Sequence, residues 1–471
     1  MRSKYLIFTA VFITLSTHLI GQFANPKLPL RVSSNGRYLE YENGQAFFWL
    51  ADTGWELLQR LDKSEVDYYL KTPARQGFNV IQLVLIPELN GLTTPNRLGD
   101  LPLVDFNLSK PNEKYFQFVD YVVYKAASLG LFVAMMPSWG DAWNVQPHSF
   151  NRAYFTAENS FTFGKYIGSR YKNQWNIVWI MGGDRNPETS THYAIIRSEV
   201  KGIKEGDGGK HLMTYHPGGD CSSASFFHEE KWLDFNMTQT GHSDRRVPTY
   251  LYSLNNYVMN PAKPCLDGEP RYEDLPVKFW EMKLDSTYMK NAYTIADSQT
   301  PHGYFNDYDV RTAAYWSVFS GASGHTYGNG SVWCFWQKGV FAPVAIKHSW
   351  QNAMNSPGGI QMGYLRTLIE QFGIDNFTPD RNVITNNSFA GQNYIAAIRA
   401  KDGSSILIYS PDGEKLKVSL TKIKEGKIFA TWFNPRDGLF SKQITIYTSQ
   451  CIVEFAPPST GIDWVLVLKS E

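Results

Sequence analysis

The chain predicts an α/β fold: a (β/α)8 TIM barrel followed by a small all-β sandwich. Three observations carry that expectation. The 471 residues exceed one ordinary domain. Short apolar runs alternate with helical patterns over most of the length, which implies parallel βαβ units. The last hundred or so residues change to short alternating segments separated by Asp-Gly and Asn-Pro turn pairs.

Eight apolar runs are expected as barrel strands: 45–51, 78–86, 131–136, 176–181, 211–215, 235–239, 264–267 and 323–327. The first helix is expected from Ser64 to just before Gly77. The next carries Phe116, Val119, Val122, Val123, Ala126 and Leu129 at three- and four-residue spacing, with Gly130 as its left-handed terminus. A third helix spans 154–171. Asn186-Pro187 reads as a cap followed by the imino acid favoured in the first turn, so a fourth helix is expected from there to about Lys204. Residues 271–304 read as an irregular insertion between the seventh and eighth strands, and a last barrel helix covers 360–372. Strands at 394–399, 405–409, 415–420, 428–433 and 443–447 follow, with turns at Asp402-Gly403, Asp412-Gly413 and Asn434-Pro435. The expected division is a signal peptide at 1–21, a barrel at 22–373 and a β domain at 374–471. No flexible linker separates the last two, so the β domain is expected to pack on the barrel and support it.

Composition excludes several function classes. Lys and Arg number 45 against 44 acidic residues, and a net charge of +1 offers no field for nucleic acid. Arg2 and Lys4, the mostly apolar stretch 5–20 and Gly21 form a secretory signal pattern. The apolar stretch falls short of the ~20 residues that span a bilayer. The mature chain is therefore expected to be exported, periplasmic or extracellular, without a membrane span. Cys221, Cys265, Cys334 and Cys451 lack C-x-x-C spacing and read as buried free thiols. Neither an H-x-H pair nor H-E-x-x-H occurs, so neither metal nor cofactor is expected; G-x-S-x-G and phosphate-loop motifs are also missing.

In a barrel, function gathers where strands end at their C-terminal edge. The polar and aromatic residues expected there are Asp52, Trp55, Trp139, Asp141, Asp184, His216, Gln239, His242, Glu269, His325 and Tyr327. Trp55, Trp139 and Trp143 are candidate sugar-stacking platforms. Arg245-Arg246 reads either as a solvated loop or as a clamp for an anionic sugar. Asp184 follows Gly182-Gly183 after the fourth strand, and Glu269 precedes Pro270 after the seventh. Carboxylates at these two places suit a glycosidase that uses one group as acid and the other as nucleophile. Placement at strand ends suggests a separation of ~5–5.5 Å and retention of configuration; aspartate being a methylene shorter than glutamate leaves the wider, inverting spacing open.

The stretches Phe48-Trp49-Leu50-Ala51-Asp52-Thr53-Gly54-Trp55, Trp179-Ile180-Met181-Gly182-Gly183-Asp184-Arg185-Asn186 and Asp267-Gly268-Glu269-Pro270-Arg271-Tyr272-Glu273 resemble the apiosidases of glycoside hydrolase family 140. Trp432-Phe433-Asn434-Pro435-Arg436-Asp437-Gly438 resembles the collagen-binding-type β domain that follows such barrels. The resemblance implies Asp184 as acid/base and Glu269 as nucleophile. It also implies release of apiofuranosyl units from galacturonic acid in the pectin rhamnogalacturonan II. Another furanosidase, such as an arabinofuranosidase, or a non-catalytic carbohydrate-binding barrel are the alternatives.

Overall fold

The computed structural model describes residues 25–147, 149–282, 300–386, 391–449 and 451–471. The expected signal peptide and part of the 271–304 insertion lie outside them. Eight strands form the barrel: β1 (Trp49–Thr53), β2 (Val80–Val84), β3 (Phe132–Met136), β4 (Ile177–Gly182), β5 (Met213–His216), β6 (Asn236–Gln239), β7 (Cys265–Asp267) and β8 (Gly324–Tyr327). They pair in the order β5-β4-β3-β2-β1-β8-β7-β6, all parallel. Between β5 and β6 closure is looser: the Asp234 N–H donates to Met213 O (2.8 Å) and the Thr214 hydroxyl to Phe235 O (2.6 Å).

Side chains on these strands alternate between two cores, as period-two geometry dictates. Trp49, Ala51, Val80, Val84, Phe132, Ala134, Met136, Val178, Ile180, Phe235, Met237 and Leu266 fill the barrel interior. Ile81, Leu83, Val133, Met135, Ile177, Trp179, Met181, Met213 and Tyr215 point outward to the helices. Because both faces are buried, these strands read as continuous apolar runs.

The longer helices among the described residues are α1 (Lys63–Gln76), α2 (Glu113–Ser128), α3 (Ala157–Tyr171), α4 (Ser190–Asp207), α5 (Thr249–Tyr257), α6 (Asp307–Val318) and α7 (Pro357–Phe372). Asp62 and Glu65 form a reciprocal capping box at α1, which Gly77 ends at φ +95°. Gly130 takes φ +75° just beyond α2, as expected. The fourth helix departs from its expected start. Thr189 caps α4 by accepting the His192 N–H, while Asn186 accepts the Gly218 N–H at 2.9 Å. Asn186 is thus engaged across the barrel mouth and unavailable as a cap.

Among the described residues the C-terminal unit has eight strands: β9 (Phe377–Pro379), β10 (Ala396–Ala400), β11 (Ser405–Ser410), β12 (Leu416–Ser419), β13 (Lys427–Phe433), β14 (Ile444–Tyr447), β15 (Ile452–Phe455) and β16 (Trp464–Ser470). An antiparallel sheet β9-β10-β11-β16-β13-β14 is joined by the β12-β15 pair. The sequence reading missed β9, β15 and β16. β16 is central and buried on both faces: Val465 and Val467 pack towards the barrel helices, Trp464, Leu466 and Leu468 into the sandwich. It therefore lacks the polar alternation that marks a half-exposed strand. Of the four cysteines, only Cys265 and Cys334 are buried; Cys221 is half-buried and Cys451 exposed.

The two units share a core. Tyr250 stacks on Tyr394 with centroids 3.7 Å apart, and the Trp316 indole N–H donates to Tyr394 O at 2.7 Å. Asp463, fully buried, accepts from Arg311 on α6 (2.9 and 3.1 Å) and from Arg436 (3.0 Å). Removing one partner of such a buried pair strands a charge and costs about 3–5 kcal/mol. Asp463→Ala is expected to lower the melting temperature by several degrees in differential scanning calorimetry; an unchanged melting temperature would show that the β domain does not buttress the barrel.

Candidate active site

β4 runs into Gly182, Gly183 and Asp184, which take φ of +99°, +97° and +58°. Glycine is required at the first two, because a Cβ on Gly182 would lie 2.3 Å from His216 O and one on Gly183 2.7 Å from Gly140 N. This left-handed turn passes between the ends of β3 and β5 and delivers Asp184 at the mouth, with its side chain one-third exposed (33%). Asp184 Oδ2 accepts from Arg185 at 3.1 Å, and Gln239 at the end of β6 also donates to it. Burial, and next the negative charge of Glu269, hold the Asp184 carboxyl above the usual carboxylate range, against the pull of Arg185 and Gln239.

Glu269, beyond β7, behaves oppositely. Its Oε1 lies 3.2 Å from His242 Nε2 and its Oε2 3.0 Å from His216 Nε2, the latter contact angled off the ideal hydrogen-bond direction. The Tyr272 hydroxyl, which accepts the Trp55 indole N–H at 3.1 Å, also donates to Glu269. Burial alone would raise this carboxyl, but the two imidazoles reverse the shift and lower it to about 2. The two neighbouring carboxyls are thereby shifted in opposite directions, the arrangement that separates an acid from a nucleophile.

The structure brings together Asp184, Glu269, His216, Gln239, His242, Trp55 and Trp139. Trp55 and Trp139 lie 5.5 Å apart, centroid to centroid, and both flank the His216 ring. Gln239 Oε1 and the Trp139 indole N–H are buried without a protein hydrogen-bond partner among the described residues. Such groups have open capacity for sugar hydroxyls.

Other expected site residues are placed elsewhere, and strand parity explains why. Asp52, His325 and Tyr327 lie on the outward side of β1 and β8. Asp52 accepts from Tyr69 on α1 (2.7 Å), and burial, partly offset by that bond, pushes it up to about 7. Tyr327 donates to Glu273 (2.6 Å) within the outer core. His325 is 1% exposed; burial and then Arg271 lower it to about 3, so it stays neutral. Asp141, fully buried, accepts the Asn151 N–H (3.0 Å) and braces the loop after β3. Trp143 packs against His192. The two arginines are already paired within the protein and not free to clamp a sugar: Arg245, its side chain partly exposed, binds Asp309 (2.6 Å), and Arg246 binds Tyr308 (2.6 Å) and Asp412 (3.3 Å).

Several site residues escaped the sequence reading. Tyr272 touches Glu269. Trp333, beyond β8, turns an unpartnered buried indole N–H among the mouth aromatics. Glu88, after β2, faces Asp184, Glu56 and Asp141; burial and those charges push its carboxyl well up. Gln82 points into the barrel and donates to Gly268 O at 2.9 Å, steadying the turn before Glu269. Its signal was legible: a polar residue inside the apolar run Val80-Ile81-Gln82-Leu83-Val84 needs a reason to be buried. Among the described residues no group of three His, Cys, Asp or Glu side chains could hold a metal ion, and no helix is long and apolar enough to cross a membrane.

Residues 33–376 match the family model "Apiosidase-like, catalytic domain", and residues 378–469 match one named for a collagen-binding domain of a collagenase. Among solved structures, a glycoside hydrolase is 32% identical, with 94% of this chain and 97% of that one covered and a TM-score of 0.83. A family 5 glycoside hydrolase from Bacteroides vulgatus is 30% identical, with 94% and 93% covered and a TM-score of 0.81. A family 5 mannosidase from Rhizomucor miehei, at 14% identity, coverage of 74% and 99% and a TM-score of 0.51, shares the fold alone. No curated protein matches in sequence.

Parity makes a kinetic prediction. Asp52→Ala should lower the melting temperature, since losing a buried hydrogen bond to a carboxyl costs about 1–3 kcal/mol, while the folded enzyme keeps its kcat/KM. Gln239→Ala should do the reverse, reducing kcat/KM on an aryl glycoside by about ten-fold or more. Loss of kcat/KM in Asp52→Ala at an unchanged melting temperature would contradict the placement.

Proposed function

The chain belongs to the apiosidase-like family of glycoside hydrolases, and on that premise we propose that it releases apiofuranosyl units, or chains ending in them, from galacturonic acid in rhamnogalacturonan II. Glu269 is the nucleophile and Asp184 the acid and base. The observation that carries this reading is the pair of carboxyls beyond the ends of β4 and β7 whose surroundings shift them in opposite directions, Asp184 up and Glu269 down.

Glu269, ionised by its histidine partners, attacks the anomeric carbon. Asp184, kept protonated beside that charge, gives its proton to the leaving oxygen and then takes one from the water that releases the sugar. Retention of configuration follows from this double displacement. The hydroxyls of the bound furanose meet Gln239 Oε1 and the Trp139 indole N–H, two buried polar groups at the mouth without a hydrogen-bond partner among the described residues. Trp55, whose own N–H is occupied by Tyr272, contributes its ring face. Hydrolysis of a cell-wall glycan takes place outside the cytoplasm, which agrees with export after cleavage near Gly21. The unit at 374–471 serves as a buttress to the barrel at 22–373, its contacts with α5, α6 and α7 being made through buried rings and the Asp463 pairs.

Rhamnogalacturonan II fragments incubated with the enzyme should release apiose, or oligosaccharides ending in it, by mass analysis; release of arabinose alone would redirect the assignment to another furanosidase. Glu269→Gln should abolish turnover. In the native enzyme kcat/KM should persist at mildly acidic pH, where Glu269 is already ionised, and fall as rising pH deprotonates Asp184. Asp184→Asn should spare substrates with activated leaving groups and lose that alkaline fall. Near-native turnover by Glu269→Gln would contradict the roles.

A further inference from the structure

His216 is fully buried, and its ring lies against both segments that carry the candidate carboxylates. Its Nδ1 accepts the backbone N–H of Asp184 at 3.2 Å, and its Nε2 lies 3.0 Å from Glu269 Oε2. An imidazole nitrogen that accepts carries no proton, so the neutral ring keeps its single proton on Nε2, facing Glu269. The backbone repeats the tether, for His216 O accepts the Gly183 N–H at 3.1 Å. Trp55 holds the ring edge-on, with centroids 5.6 Å apart at 89°. The sequence reading placed His216 among the sugar-binding groups, but both of its nitrogens already face protein atoms.

We propose that His216 is a positioning residue that couples the two carboxylates: one nitrogen holds the strained Asp184 backbone in place while the other keeps a donor on Glu269. The proposal rests on the reading of Asp184 and Glu269 as the catalytic pair. Asp184 is a non-glycine residue in the left-handed region, a conformation that persists only where its surroundings fix it. His216 ties that backbone to the nucleophile's side of the mouth. The ionisable groups around the ring are Asp184 from the β4 turn and Glu269 from beyond β7. His242, after β6, shares Glu269, and Arg185 shares Asp184. From the ends of β1 and β3 the neighbours are the uncharged indoles of Trp55 and Trp139.

Two substitutions separate the ring's contacts, because an asparagine amide overlays the Nδ1 edge of imidazole and a glutamine amide the Nε2 edge. His216→Asn retains an acceptor for the Asp184 N–H and loses the donor at Glu269. With one stabilising partner gone, the nucleophile's pKa rises, so the acid limb of kcat/KM on phenyl apiofuranoside should move up by about one pH unit or more. His216→Gln retains the donor and loosens Asp184. Its acid limb should stay, and its activity should fall more on phenyl apiofuranoside than on the 4-nitrophenyl compound, whose leaving group needs little protonation. Equal losses on both substrates with unshifted limbs, in the presence of an inactive Glu269→Gln, would overturn the coupling and leave the catalytic pair standing. An active Glu269→Gln would overturn the pair itself. Should either His216 variant fail to fold, histidine 15N NMR of the native enzyme decides: protonated Nε2 and bare Nδ1 are expected at His216, and the opposite tautomer overturns the proposal.

Discussion

Glu269 is a buried carboxylate held ionised by two imidazoles, and the rest of the site is arranged around that fact. An isolated charge at such depth would be neutralised by a bound proton. Here His216 and His242 oppose the desolvation cost and win, while Tyr272 adds a third donor. The resulting negative charge acts on Asp184 across the mouth and helps raise its carboxyl above the usual range. One clamp thus bears on the state of both groups, and each donor in it stands at the end of a different strand. That is the use a barrel makes of converging strand ends.

Holding such a cluster in register requires a rigid wall, and much of that rigidity comes from outside the catalytic mouth. Arg271, two residues after Glu269, is fully buried and donates to Val247 O and Asp309 O. Asp309 belongs to α6, the helix whose Arg311 pairs with Asp463 of the β domain and whose Trp316 donates to Tyr394. A chain of buried polar contacts therefore runs from the β sandwich through α6 to the segment carrying Glu269. Arg245 and Arg246, which resemble a surface clamp in sequence, are part of this same junction.

The strand and helix order was legible because both barrel faces are apolar and each run ends in polar punctuation. What the runs could not show was parity. Asp52, His325 and Tyr327 stand at strand ends just as His216 and Gln239 do, yet one residue's shift in phase sends a side chain to the helices instead of the pocket. Without alternation in a doubly buried strand, no polar pattern marks which phase is which. The same absence hid β16, whose Trp464-Val465-Leu466-Val467-Leu468 run faces two cores. The catalytic candidates were easier to find. Gly182-Gly183 before Asp184 reflects a turn with no room for a Cβ, and that constraint is written in the residues themselves. Tyr272 and Trp333 were harder, since an aromatic beside a site looks the same in sequence as one packed in a core.

The central claim is that Glu269 acts as the ionised nucleophile, and covalent capture tests it most directly. A 2-deoxy-2-fluoro apiofuranoside with a good leaving group should slow release of the glycosyl-enzyme more than its formation, so intact-protein mass spectrometry should show one added fluorosugar. Peptide mapping should then place it on Glu269. Attachment to Asp184, or turnover that inverts configuration with no adduct at any time, would contradict the account.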